Sequence, residues 1–168
     1  MTDSNKKWYA IYTHARTEKV VSKRLIEKNI ETYLPLHKVL RQWSDRKKMV
    51  EIPLFNSYVF VKINRGEYDN VLKTNGVVKF IAFEGKAVSI PDQQIETLRV
   101  LINSDIHLET SNIVFKAGKK VKVAMGQLKG LTGELVQESK KNRFLVRIEE
   151  INQNLLVNIP SSYLLYIN

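Results

Sequence analysis

The sequence has no cysteine in 168 residues, which excludes disulfides, thiolate metal sites and cysteine nucleophiles together. Its three histidines, His14, His37 and His107, lie too far apart to show any local metal-ligand spacing. No apolar run approaches the roughly 20 residues that cross a bilayer. The start, Met1 to Lys7, is polar with no signal-peptide core behind it, so a cytoplasmic protein without membrane contact is expected. Low-complexity tracts and internal repeats are missing too. Isolated carboxylates such as Glu18, Asp69 and Glu84 have no recognisable acid/base partner, and no serine sits in a nucleophile-elbow context. The expectation is a protein that is not an enzyme and needs no cofactor or metal.

What is present is globular and basic. A hydrophobic fraction of 43% with 26% charged residues can build a core. Twenty-seven basic against seventeen acidic side chains leave a net charge of +10, which concentrates polyanions near the surface. The excess is spread over both ends: residues 1–103 carry +7 and residues 113–168 carry +5. The stretch between them, residues 104–112, is short, polar and aperiodic, and reads as a linker between two modules.

In the first module, Trp8-Tyr9-Ala10-Ile11-Tyr12 suits a half-buried strand. From Thr17 to Asn29, Val21, Leu25 and Ile26 recur at helical intervals opposite Lys19, Lys23, Arg24, Glu27 and Lys28, which predicts an amphipathic helix. Residues 32–40 and 49–53 read as extended segments of a hairpin whose tip, residues 41–48, turns at Ser44-Asp45. That tip sets Arg41, Arg46, Lys47 and Lys48 against Asp45, a local +3, with Trp43 among them: phosphate attraction and a stacking platform together. A hairpin that merely stays solvated would look similar. Residues 57–63 should form a buried central strand, followed by a helix over residues 66–74 that Asn75-Gly76 stops. Another strand over residues 77–83 and a helix opened by Pro91-Asp92 and running to Ile102 complete the order β-α-β-β-β-α-β-α. The fold class is α+β, an antiparallel sheet with helices packed on it.

The second module shows five short strand segments, over residues 119–122, 131–137, 144–148, 155–159 and 163–167, at the spacing of a small β-barrel. Gly126, Gly130 and Gly133 mark a tight turn. A phosphate-cradling loop would need a helix after them, and a strand follows instead. Lys116, Lys119, Lys120, Lys129, Lys140, Lys141 and Arg143 are expected to be exposed.

Together these texts resemble the NusG family, in which an amino-terminal NGN domain precedes a carboxy-terminal KOW barrel. The likeness rests on Trp8-Tyr9, on Glu18, Val21 and Leu25, on Pro53-Leu54-Phe55 with Tyr58-Val59-Phe60-Val61, on Gly76-Val77-Val78-Lys79-Phe80, and on the Gly126, Gly130, Gly133 spacing. Where relatives usually read Pro-Gly, this chain has Asn56-Ser57. Tyr33-Leu34-Pro35-Leu36 followed by residues 41–48 looks more specifically like the UpxY-type antiterminators of capsular or surface polysaccharide operons.

The resemblance implies a ferredoxin-like NGN domain over residues 1–103, a linker over residues 104–112 and a five-stranded KOW barrel over residues 113–168. It implies a monomeric transcription elongation factor or antiterminator that binds the clamp helices of the largest RNA polymerase subunit and suppresses pausing or termination. The docking surface carries over to Tyr12, Phe55 and Tyr58, although three aromatics on adjacent strands also pack cores. Specialised relatives grip the non-template DNA strand near His14, Arg16, Lys23, Arg24, Lys73, Thr74 and Asn75, where cations hold phosphates and His or Asn can reach a base edge. Arg41, Trp43, Arg46, Lys47 and Lys48 would face upstream DNA or nascent RNA. A KOW module would recruit a ribosomal small-subunit protein or the factor Rho. The competing reading is a KOW-containing ribosome- or RNA-binding protein, which leaves the aromatic text of the first module unexplained.

Overall fold

A computed structural model describes residues 5–138 and 141–168. Lys140 lies outside these residues, and so does the side chain of Lys141. The chain divides into two units, Met1–Asp92 and Gln93–Asn168, both built on antiparallel sheets.

The first unit begins with β1, Lys7–Thr13, whose alternation sends Trp8 and Ala10 to one face and Tyr9, Ile11 and Thr13 to the other. Helix α1, Glu18–Glu27, buries Glu18, Val21, Ser22 and Leu25, the i, i+3, i+4, i+7 stripe. Ile26, expected on that stripe, is 57% exposed, because one residue past Leu25 turns about 100° away from the core. Asn29, at φ 61°, ends the helix. The Ile30 N–H then returns to the Leu25 carbonyl at 3.0 Å, and both side chains join the core, a Schellman closure with its apolar contact.

The extended stretch expected over residues 32–40 is two strands. β2, Glu31–Tyr33, pairs with the main sheet, and β3, Leu36–Gln42, leaves it after Pro35 to pair with β4, Lys47–Pro53. Their ladder reaches Gln42 opposite Lys47, so the tip shortens to residues 43–46, closed by the Trp43 N–H on the Arg46 carbonyl at 2.8 Å. β5, Tyr58–Ile63, is the buried central strand. A 3-10 turn at Arg65–Glu67, boxed by Asn64 and Glu67, leads into α2, Tyr68–Leu72. Gly76, at φ 99°, stops the segment, and an added Cβ would sit 2.5 Å from Val21 Cγ2, so both the backbone and the space require glycine there.

The strand expected over residues 77–83 breaks at Ile81. β6, Val77–Phe80, pairs with β1, whereas β7, Ala82–Phe83, turns through Glu84-Gly85 to β8, Lys86–Ala87. β9, Ser89–Ile90, returns to β1. The main sheet therefore runs β2-β5-β1-β6, with β9 also on β1. Ile11, Val59, Val61, Ile63 and Phe80 of the sheet pack with Val21, Leu25 and Val71 of the helices. Each such burial is worth about 1.5–3 kcal/mol.

The helix expected to close the first module, α3, Asp92–Asn103, falls from Gln93 onward in the second unit. There the Gln94 side-chain amide donates to the Arg147 carbonyl at 2.7 Å. All five expected strands of this unit are present: β11 Lys119–Val123, β12 Thr132–Glu138, β13 Lys141–Ile148, β14 Gln153–Val157 and β15 Leu164–Tyr166. A sixth, β10, Leu108–Ser111, lies in the stretch read as a linker and pairs with β14. Its polar text gave no sign, because a strand on a sheet edge is held by backbone hydrogen bonds that need no apolar pattern.

The order is β10-β14-β13-β12-β11-β15, and among the described residues no ladder joins β10 to β15. Among the described residues the sheet is six-stranded and open between β10 and β15, where a five-stranded barrel was expected. Gly126 and Gly130 take positive φ, as the turn reading required, whereas Gly133 lies within β12, where an added Cβ would sit 2.6 Å from Phe144 Cζ. Lys116, Lys119, Lys120 and Lys129 are exposed, whereas the Arg143 side chain is 11% exposed and paired with Glu109 at 3.1 Å.

Candidate functional site

Burial fades along one face of the first sheet. Trp8 is 3% exposed and Ala10 fully covered, but Tyr12, next on that face, is 37% exposed. Tyr58 stands directly opposite it across the β1–β5 ladder, and the rings meet edge-to-face at 5.6 Å and 71°. Burial, reinforced by the neighbouring Tyr12, holds the Tyr58 hydroxyl above the ordinary tyrosine pKa. Phe55, grouped with them from the sequence, is 3% exposed. Its ring is core, and the aromatic area open to solvent at this corner belongs to the two tyrosines.

The corner backbone is fixed from α1. Ser57 takes φ 67°, and its N–H donates to Glu18 Oε1 at 2.8 Å, both residues being buried. A left-handed serine costs roughly 1–2 kcal/mol. A glycine there gives back about 0.5–1 kcal/mol through unfolded-chain entropy. Ser57→Gly is therefore expected to stabilise the first unit by about 0.5 kcal/mol, read as a rise of about 2–4 °C in its melting transition; a fall would mean that the serine side chain, not the backbone, holds the corner.

The expected nucleic-acid residues of β1, α1 and the α2–β6 turn converge. The His14 N–H donates to the Gly76 carbonyl at 3.0 Å, which ties the β1 exit to that turn. Arg24 Nη1 reaches the Asn75 carbonyl at 2.8 Å. His14, Arg16, Lys23, Lys73 and Asn75 are exposed around these links, with Arg16 at φ 63°. Thr74 is a correction: it is 3% exposed, and its hydroxyl donates to the Asn70 carbonyl at 2.9 Å while accepting from Lys28 Nζ at 2.9 Å. It holds the turn and offers nothing to a ligand. Two cations were missed. Lys28 braces this turn, and Lys79 lies opposite Tyr12 across the β1–β6 ladder, a position legible only once the register is known.

The hairpin residues Arg41, Trp43, Arg46, Lys47 and Lys48 are all exposed. The Arg46 guanidinium lies 5.6 Å over the Trp43 ring. Arg41 pairs directly with Lys48 across the ladder, and like charges in that position destabilise a ribbon. A polyanion would relieve them. Lys19 Nζ anchors the ribbon to α1 through the Glu51 carbonyl at 2.6 Å, and a groove of about 570 Å³ between them is edged by Arg16 and Arg41. Among the described residues no group of His, Asp and Glu is placed to hold a metal, and no helix is long and apolar enough to cross a membrane.

Exposed aromatic and cationic side chains thus stand together on an antiparallel α/β framework. Residues 6–99 match the family model NusG, described as transcription termination factor nusG; the chain belongs to the NusG family of transcription termination and antitermination factors. The transcription termination/antitermination protein NusG of Campylobacter jejuni subsp. jejuni serotype O:2 is 26% identical over 160 residues, covering 86% of this chain and 87% of that protein. Thermotoga maritima NusG, solved for its domain interaction, shares the fold with a TM-score of 0.55 at 21% identity, covering 97% of this chain and 98% of that one.

Proposed function

We propose that this chain is an elongation factor and antiterminator that rides on RNA polymerase, holding the clamp helices of the largest subunit through Tyr12 and Tyr58 above a Phe55 floor. The observation that carries the reading is the half-open tyrosine pair beside a cationic corner. Aromatic anchors give affinity, and the adjoining cations Arg16, Lys23, Arg24 and Lys73, with the His14 ring and the exposed Asn75 amide, suit the non-template strand. A factor that prefers the closed, processive clamp shifts the enzyme towards it by no more than that preference. No bond is made or broken.

The hairpin would lie against upstream DNA or emerging RNA, and its text supports service at long surface or capsular polysaccharide operons. The second unit is read as a KOW-like module whose partner is a ribosomal small-subunit protein or Rho. Retention on reconstituted elongation complexes tests the proposal. The wild type should stay bound as salt is raised, and Trp43→Ala combined with Lys47→Glu and Lys48→Glu should elute earlier, with a salt slope smaller by about 2. Retention unchanged in that variant would remove the hairpin contact. Co-purification with ribosomal particles alone, without polymerase, would overturn the whole reading.

A further inference from the structure

We propose that the second unit carries its own site for a short single strand of nucleic acid, in the groove where the segment before β11 meets β12, β13 and β15. The groove measures about 590 Å³, and Phe115, Lys116, Lys119, Gln137, Asn142 and Tyr166 line it. Every one of these residues lies outside the surfaces described above.

The wall of the groove is held in place. Arg147 Nη2 donates to the carbonyls of Phe115 and Lys116, at 3.0 Å each, and the buried Asn154 amide donates to the Ile113 carbonyl at 3.0 Å. Arg147 and Asn154 are themselves cross-strand partners, so one rung of the sheet clasps the incoming segment. Such fixation sets the lysine backbones before any ligand arrives.

Three kinds of side chain then meet. Lys116 and Lys119 are exposed, and neither is in an ion pair among the described residues. The unit's well-placed carboxylates are already engaged, Glu134 by Arg147 and Glu109 by Arg143. Tyr166 is 67% exposed with Lys119 Nζ at 5.4 Å from its ring centre, which leaves ring area for a base beside a cation for its phosphate. Gln137 and Asn142 are directly opposed across the β12–β13 ladder, so two amides, each donor and acceptor, stand side by side. An acidic peptide would use the lysines, but would gain little from an open aromatic face and paired amides. A strand of about 4 nucleotides uses all three.

The test is a titration of the isotopically labelled full chain with 12-nucleotide oligouridylate and, separately, oligothymidylate, followed by amide resonances at several salt concentrations. Shifts are expected at Lys116, Gly118, Gln137, Asn142 and Tyr166. Tyr166→Ala should weaken this site about tenfold. Lys116→Gln with Lys119→Gln should lower its salt slope by about 1.4, since each phosphate contact on a single strand contributes about 0.7. Tighter binding of the ribo-oligomer would assign RNA as the source, and equal binding the shared backbone-and-base chemistry. Resonances that stay still while those of the first unit move would overturn the proposal. So would a Tyr166→Ala affinity equal to wild type, which would leave only diffuse polyanion attraction. Because each unit is read by its own resonances, failure here is separate from failure of polymerase binding.

Discussion

A Tyr12→Ala, Tyr58→Ala double variant is expected to bind RNA polymerase about 100-fold more weakly than wild type while remaining folded. Truncating an aromatic anchor at an interface typically costs about 2 kcal/mol or more. The two rings support one another edge-to-face, so their losses overlap rather than add, and about 3 kcal/mol for the pair corresponds to that factor. Tyr12 is more than a third exposed and Tyr58 half-buried, so the fold should lose only about 1–2 kcal/mol. Phe55→Ala is the control that distinguishes floor from anchor. A ring that is 3% exposed costs about 3–5 kcal/mol when removed, so this variant should lose melting temperature and polymerase affinity together. Calorimetry beside polymerase pull-down reads both. Full affinity in the tyrosine double variant would move the docking surface elsewhere.

The contrast between Tyr12 and Phe55 shows what the sequence can and cannot say. Period-two alternation placed Trp8, Ala10 and Tyr12 on one face of β1, but not where along that face the cover ends. An aromatic text looks the same for an anchor and for a core ring. Thr74 was misjudged for a related reason. Its commitments are to a carbonyl four residues back and to Lys28 from another helix, and neither leaves a mark in composition. The elements themselves were better marked. β1, α1, β5 and the stop at Gly76 carry strong periodicity or a forced backbone, and they stand where expected.

The misses are places where pairing, not propensity, decides. Pro35 and Ile81 divide runs of strand-forming residues between different partners, and β10 is polar because an edge strand can be. The hairpin's charge was legible as a sum. Its arrangement, Arg41 against Lys48 with Arg46 over Trp43, is a property of register.

Register also creates the interaction on which the second unit depends most. Glu134 on β12 and Arg147 on β13 form a forked pair, with Nε to Oε1 at 2.8 Å and Nη2 to Oε2 at 3.1 Å, while Glu134 Oε2 also accepts the Gly118 N–H at 2.9 Å. The Arg147 and Glu134 side chains are 20% and 23% exposed, so the pair is partly shielded from water. Arg147→Ala is expected to cost about 2 kcal/mol, between the values for an exposed and a buried pair. It should also release the segment at residues 113–118, read as faster amide exchange at Gly118. Arg147→Lys keeps the charge without the fork and should fall between.

The pair makes this unit acid-sensitive. The Arg147 hydrogen bonds, opposed by burial and aided by the Gly118 N–H, hold the Glu134 carboxyl below its ordinary value of 4.5. Its contribution is therefore complete above that pH and is lost as pH falls through the lower folded value. Glu134→Gln should flatten that acid limb while lowering stability at neutral pH. A wild-type unfolding midpoint for this unit that does not fall with pH below 4.5, or an unchanged limb in Glu134→Gln, would show that other carboxylates carry the acid response.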